Sequence, residues 1–212
     1  MKKIILSLLG ISLLAVSCSQ SNFATHAPAQ PVSTSTKPSQ APPEQKPQLT
    51  APLPNALSRI TKKPFGIYIT PQNSPVQPER FKGYHTGVDF ETLPEEQNID
   101  VPVAAVCTGK LLMKKWATGY GGVAVQACTL GGSDITVIYG HLNIGTINLS
   151  VADTLTAGEQ FAVLGKGYSQ QTDGERKHLH LGIHKGTSVN ILGYVQNQSD
   201  LSGWLDAQKY LE

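Results

Sequence analysis

Long hydrophobic runs are scarce in these 212 residues. The longest, Ile4 to Val16, has 13 residues, short of the roughly 20 an ordinary membrane-spanning helix needs. A basic excess is also missing: Lys plus Arg is 17 and Asp plus Glu is 15. Two of those lysines stand in residues 1–17, so the remainder carries 15 charges of each sign. Nucleic-acid binders normally show a basic footprint, so that partner class is set aside. With 20 Gly, 14 Pro and few helix-favouring stretches, a helical bundle is not expected. Hydrophobic residues at 40% and charged residues at 15% are enough for a packed core, so wholesale disorder is not expected either. The length suits one globular domain.

The chain opens on Met1-Lys2-Lys3, a positive segment, followed by the apolar run. Together they read as an export signal over residues 1–17. Leu14-Ala15-Val16-Ser17-Cys18 resembles a bacterial lipoprotein signal. That resemblance implies cleavage before Cys18 and lipid on its thiol, hence an exported lipoprotein held at a membrane on the periplasmic or cell-surface side. A plain secretory signal is the alternative. Residues 19–57 are rich in Ser, Thr, Gln, Ala and Pro and hold eight of the 14 prolines, with only Lys37, Glu44 and Lys46 charged. Such a segment buries too little apolar surface to offset its ordering entropy. Residues 18–57 are therefore expected to be a disordered tether, and residues 58–212 the domain.

Three cysteines is an odd count. Setting Cys18 aside leaves Cys107 and Cys128, both in strand-like runs either side of a turn at Thr118-Gly119-Tyr120-Gly121. Exported chains live where disulfides persist, so a Cys107–Cys128 bond is expected, with two buried thiols as the alternative.

The domain reads as mostly β. Strand-like runs are Gly66–Ile69, Gly87–Phe90, Val101–Val106, Lys110–Trp116, Val123–Cys128, Ile135–Tyr139, Gln160–Leu164 and Leu179–His184. They are rich in Val, Ile and aromatics, and several are parted by turn residues. An antiparallel β-sandwich or barrel-like sandwich is expected, with one short terminal helix over Leu201–Leu211.

Four of the six histidines draw attention. His85 and Asp89 stand four apart around Gly87. A fully extended strand would part them by roughly 13 Å, too far for one ion without a bend. A solvated His and a capping Asp would also explain the pair. His178 and His180 alternate with Leu179, Leu181 and Ile183, so on a strand they share one face, with their Cα atoms roughly 7 Å apart. Two adjacent imidazoles favour a shared cation or a catalytic role, although a surface pair is the simpler explanation. His141 ends an apolar strand at Tyr139-Gly140-His141-Leu142.

Taken together, His85-x3-Asp89, Tyr-Gly-His141-Leu and His178-x-His180 resemble the lysostaphin/LytM-type zinc endopeptidases. The resemblance runs from about Phe65 to Lys185. Val101–Lys110 looks like the strand pair of that family, Thr118–Gly122 its hairpin turn and Leu155–Gly165 its return hairpin. It implies one Zn2+ per domain held by His85, Asp89 and His180, with His141 and His178 as catalytic groups beside the open position. It implies hydrolysis of peptide bonds in peptidoglycan stems or cross-bridges by a water that the metal activates, with peptidoglycan peptide as partner and the protein acting as a monomer. A non-catalytic wall-binding or hydrolase-activating protein is the alternative. Glu175, three residues before His178, is a rival base, and His184 could support the site or sit at its rim. Tyr68 stands where relatives often carry Arg.

Overall fold

The computed structural model describes residues 48–211. The amino-terminal readings, Cys18 included, lie outside the described residues. Strands dominate, and among the described residues only 3-10 turns interrupt them. The strands are β1 (Tyr68–Ile69), β2 (Gly83–His85), β3 (Gly87–Glu91), β4 (Pro102–Ala104), β5 (Gly109–Ala117), β6 (Gly121–Leu130) and β7 (Ser133–Gly140). They continue as β8 (Leu142–Asn143), β9 (Thr154–Leu155), β10 (Gln160–Leu164), β11 (His178–Lys185), β12 (Tyr194–Val195) and β13 (Trp204–Leu205).

The largest sheet runs β13-β11-β7-β6-β5-β9, with β3 also on β11. Two three-stranded sheets, β4-β10-β8 and β1-β2-β12, complete the domain. All pairings between these strands are antiparallel. One face of the large sheet packs on the β4-β10-β8 sheet, so the domain is a sandwich. Leu179, Leu181, Val137 and Tyr139 meet Val103, Phe161 and Leu164 there, all buried. The Tyr139 ring meets Phe161 edge-on at 5.0 Å between centroids. Its hydroxyl accepts from Val106 N and donates to Gln126 Oε1, so the buried polar end is satisfied.

Alternation decides which side chains reach the other face. On β11 the leucines and Ile183 point into the core, and His178 and His180 point away from it. On β3, Val88 and Phe90 are fully buried in the core, and Asp89 turns to the histidine side.

The structure joins Cys107 to Cys128, with 6.0 Å between Cα atoms, and so ties the bend before β5 to β6. Three expectations are corrected. Residues 48–57 are packed, not a disordered tether: Leu49, Leu53 and Ala56 are 2%, 1% and 3% exposed and belong to the main core. Isolated apolar residues among prolines hid this packing. The stretch 155–165 is not a hairpin. β9 pairs with β5, and β10 pairs with β4 and β8, so the Thr156–Glu159 turn passes the chain between sheets. The short terminal helix is absent. In its place two 3-10 turns, Gln198–Gly203 and Ala207–Lys209, flank β13. Trp204 and Leu205 pair with His184 and Ile183, and this sheet pairing outweighs a short helix whose nucleus is costly.

Leu53→Ala removes a fully buried side chain, so the domain should lose about 2–5 kcal/mol of stability in urea unfolding. A loss under about 0.5 kcal/mol would show that the segment 48–57 is not part of the packed domain.

Candidate metal centre

The site grows from one register. β11 pairs with β3 so that His180 stands opposite Asp89 and His178 opposite Glu91. On its other edge β11 pairs with β7, which sets His180 opposite Gly140. The chain leaves β7 at His141, a non-glycine residue at φ 63°. That conformation is unfavourable for an L-residue by roughly 1–2 kcal/mol. It is held by Gly165 N donating to the His141 carbonyl at 2.7 Å. A Cβ at Gly140 would collide with the Tyr120 ring, which explains the glycine before the histidine.

His85 arrives differently. β2 pairs with β1 and β12, whereas β3 pairs with β11, so the chain changes sheets at Thr86. The expected bend is therefore real. Gly87 serves close approach: a Cβ there would come within 2.8 Å of the His180 imidazole. Thr86 Oγ1 donates to the Leu192 carbonyl and its N–H to the Gly193 carbonyl. These bonds tie the bend to the segment before β12.

The result is a triangle of donor atoms. His85 Nε2 lies 3.0 Å from His180 Nδ1 and 3.3 Å from Asp89 Oδ1, and His180 Nδ1 lies 3.2 Å from that oxygen. Ligands on a tetrahedral zinc at about 2.0–2.1 Å are spaced about 3.3 Å apart, so these atoms stand near the separation one ion requires. Among the described residues, His85, Asp89 and His180 are the one group of this kind, all three buried. The tautomer agrees. His85 Nδ1 faces the Pro64 carbonyl at 3.2 Å, which only accepts, so the proton sits there and Nε2 offers its lone pair.

Asp89 uses both oxygens. Oδ2 receives Arg176 Nη2 at 3.0 Å and faces His178 Nε2 at 3.2 Å. Burial pushes the Asp89 carboxyl up. The charges of His178 and His85, with hydrogen bonds from His178 and His180, outweigh burial and hold it well below the usual carboxylate range. Arg176 also donates to Glu91 through Nε at 2.9 Å, so one guanidinium braces two residues of β3.

The accessory histidines stack beside this group. The rings of His141 and His178 are 4.2 Å apart. His178 Nδ1 donates to the Arg176 carbonyl at 2.9 Å, which turns Nε2 toward the site. Burial, helped by the charge on His178, holds His141 well below the usual imidazole range. Burial likewise pushes His180 down to about 4, against the opposing pull of Asp89.

These residues line a cleft of about 290 Å³ with Lys63, Tyr120, Tyr194 and Gly193. Lys63 is buried, donating to Glu79 at 2.5 Å and to the Tyr194 hydroxyl at 3.1 Å. Glu175 lines the cleft too, but its carboxylate accepts from Arg80 Nε at 2.9 Å, which occupies the rival base. His184 packs edge-on against Trp204, 4.9 Å between centroids. Tyr68 packs against Tyr84.

Sequence reasoning missed Arg176, Tyr120 and Tyr194. For Arg176 a signal existed: it lies two residues before His178, and the period of two places it on the same face. The two tyrosines come from a turn and from a short distant strand, and no spacing announces them.

Two histidines and one carboxylate converging in a cleft of an antiparallel β-sandwich form a compact set of N and O donors of the kind that holds a divalent metal ion. The comparisons with known proteins carry this further. Residues 83–191 match the family model of peptidase family M23, and the chain belongs to that family. The structure of LytU is 22% identical, covering 82% of this chain and 97% of that one, with TM-score 0.45. A zinc containing peptidase from Vibrio cholerae is 21% identical over 63% of this chain and 35% of that one, with TM-score 0.40. Csd3 of Helicobacter pylori is 21% identical over 72% of this chain and 36% of that one, with TM-score 0.43. No curated protein matches the chain significantly.

Acid should destabilise the metal-free domain. His180 and His141 resist protonation in the fold, whereas the unfolded chain takes up those protons near pH 6.5. Their contribution is complete above about pH 6.5 and is lost as pH falls below it, for His180 down to about 4. Chelator-treated protein should therefore melt at a lower temperature at pH 5 than at pH 7.5. Equal midpoints would contradict the burial of the two imidazoles.

Proposed function

We propose that this protein is a zinc-dependent endopeptidase cutting peptide bonds in peptidoglycan stems or cross-bridges. The observation that carries the reading is the donor triangle of His85 Nε2, Asp89 Oδ1 and His180 Nδ1, with edges of 3.0 to 3.3 Å. It lies beside two further histidines in a chain of family M23. His85, Asp89 and His180 would hold one Zn2+, which when bound supplies Lewis-acid activation of water and of the peptide carbonyl.

The remaining work falls to the chain's own residues. Arg176 occupies Asp89 Oδ2 and so keeps Oδ1 aimed at the two imidazoles. His141, kept neutral by burial, is set to accept a proton at Nδ1, an atom with no hydrogen-bond partner. His178 Nε2, against the Asp89 carboxylate, is set to hold a proton and pass it to the leaving amine. A wall-binding relative without catalysis would be expected to have lost donors. Here all three donors and both accessory histidines stand together, which favours the enzyme.

The proposal also takes the protein to be an exported lipoprotein, anchored through lipid on Cys18 and working as a monomer. A tether raises the local concentration of an insoluble wall substrate without new contacts.

Zinc-loaded protein should release peptide fragments from purified peptidoglycan, and chelator should stop the release. His141→Ala and His178→Ala should keep one zinc per chain while kcat falls about 10²–10⁴-fold. Wall binding by zinc-loaded protein without any cleavage would overturn the reading in favour of a binding module.

A further inference from the structure

Arg176 is 7% exposed and lines the cleft, yet one nitrogen of its guanidinium has no acceptor. Nε donates to Glu91, Nη2 donates to Asp89 at 3.0 Å and to Glu91, and Nη1 donates to nothing. A buried donor without a partner is costly, more so on a charged group, so the atom needs an explanation. Among the described residues, the Tyr120 hydroxyl, His141 Nδ1 and His180 Nε2 are buried in the same cleft without partners too. Of the four, only Arg176 belongs to a group that is always charged.

The surrounding charges narrow what Nη1 is for. Asp89 and Glu175 are the acidic residues that line the cleft, and both already accept from an arginine, Asp89 from Arg176 and Glu175 from Arg80. Lys63 is paired with Glu79. Lys82 lines the cleft, is exposed, and makes no ion pair among the described residues. The cleft thus offers two cationic donors without partners, Arg176 inside and Lys82 outside, and no carboxylate of its own to meet them. The two carboxylates on Arg176 are balanced by Arg176 itself and by Lys62, 3.5 Å from Glu91, so they leave no excess negative charge to repel a third. Nη2 is 3.0 Å from Asp89 Oδ2, so an anion on Nη1 would stand beside the donor triangle.

We propose that Arg176 Nη1 and Lys82 form a carboxylate subsite, and that the peptide this protein cuts carries a free carboxylate beside the scissile bond. Guanidinium and carboxylate make charge-assisted hydrogen bonds that a neutral amide oxygen does not match. The inference rests on the endopeptidase reading above and narrows its substrate: acidic stem peptides and their direct cross-links carry such groups, and neutral glycine bridges do not. No covalent bond forms at this subsite.

The test uses zinc-loaded protein and one soluble cross-linked stem peptide in two forms, with its carboxylates free or as carboxamides. Wild type should favour the free acid about tenfold in kcat/KM, and calorimetry in the slow His141→Ala background should show the same preference in affinity. Lys82→Gln, at an exposed position, should keep its zinc and its melting temperature and lower the preference about threefold. Arg176→Lys should bring the preference close to one. Its looser hold on Asp89 acts on both peptide forms alike and cancels in the ratio. No preference in wild type, or faster turnover of a neutral oligoglycine peptide, would overturn the subsite and leave the peptidase reading intact. A preference that both variants keep would do the same, by placing the carboxylate on the ion. If wild type cuts none of these peptides, the peptidase reading falls and calorimetry alone decides the subsite: about tenfold tighter binding of the free acid supports it, and equal binding overturns it.

Discussion

One strand register organises this site: β11 lies against β3 with His180 opposite Asp89. Because side chains alternate, the register that aligns the donors also sends Val88, Phe90, Leu179 and Leu181 into the core. A slip of one residue would bury the donors and expose those four apolar groups. Fully burying a side chain of that size is worth about 1.5–3 kcal/mol. The hydrophobic energy of the core therefore holds the geometry of the polar site, and the donors need not find one another by their own attraction.

That arrangement lets the protein keep a dense set of ionisable groups out of water. Asp89 is neutralised from several directions, by Arg176 on Oδ2 and by imidazoles on both oxygens. Arg176 is in turn shared with Glu91, which stands opposite His178 in the same register. The second face of the large sheet is closed by Tyr120, Val123, Val125, Ile138 and Trp204, a small apolar cluster. The site thus sits between a large core below and a smaller one alongside. The left-handed backbone at His141, unfavourable on its own, is carried by this surrounding structure.

Much of this was legible in the residues themselves. The alternation His178-Leu179-His180-Leu181 announced a strand with one polar face, and the β class followed from many such runs. The need for a bend between His85 and Asp89 was legible too. Its form was not, because the chain changes sheets at Thr86 and that depends on which strands pair. Leu49 and Leu53 looked like stray apolar residues in a proline-rich tether, since only the folded domain offers them a surface. The end of the chain looked helical because Trp204 and Leu205 carry no sign of the β11 edge they join. Tyr120, Tyr194 and Lys63 reach the cleft through tertiary packing, which local patterns do not encode.

Whether His85, Asp89 and His180 together hold one ion is read out by zinc-edge X-ray absorption of the loaded protein. The expected spectrum has a shell of nitrogen and oxygen at about 2.0–2.1 Å with the multiple-scattering signature of two imidazoles. The spectrum of His180→Ala should lose one imidazole or the bound zinc altogether. A sulfur shell at about 2.3 Å, or a spectrum unchanged by His180→Ala, would contradict it.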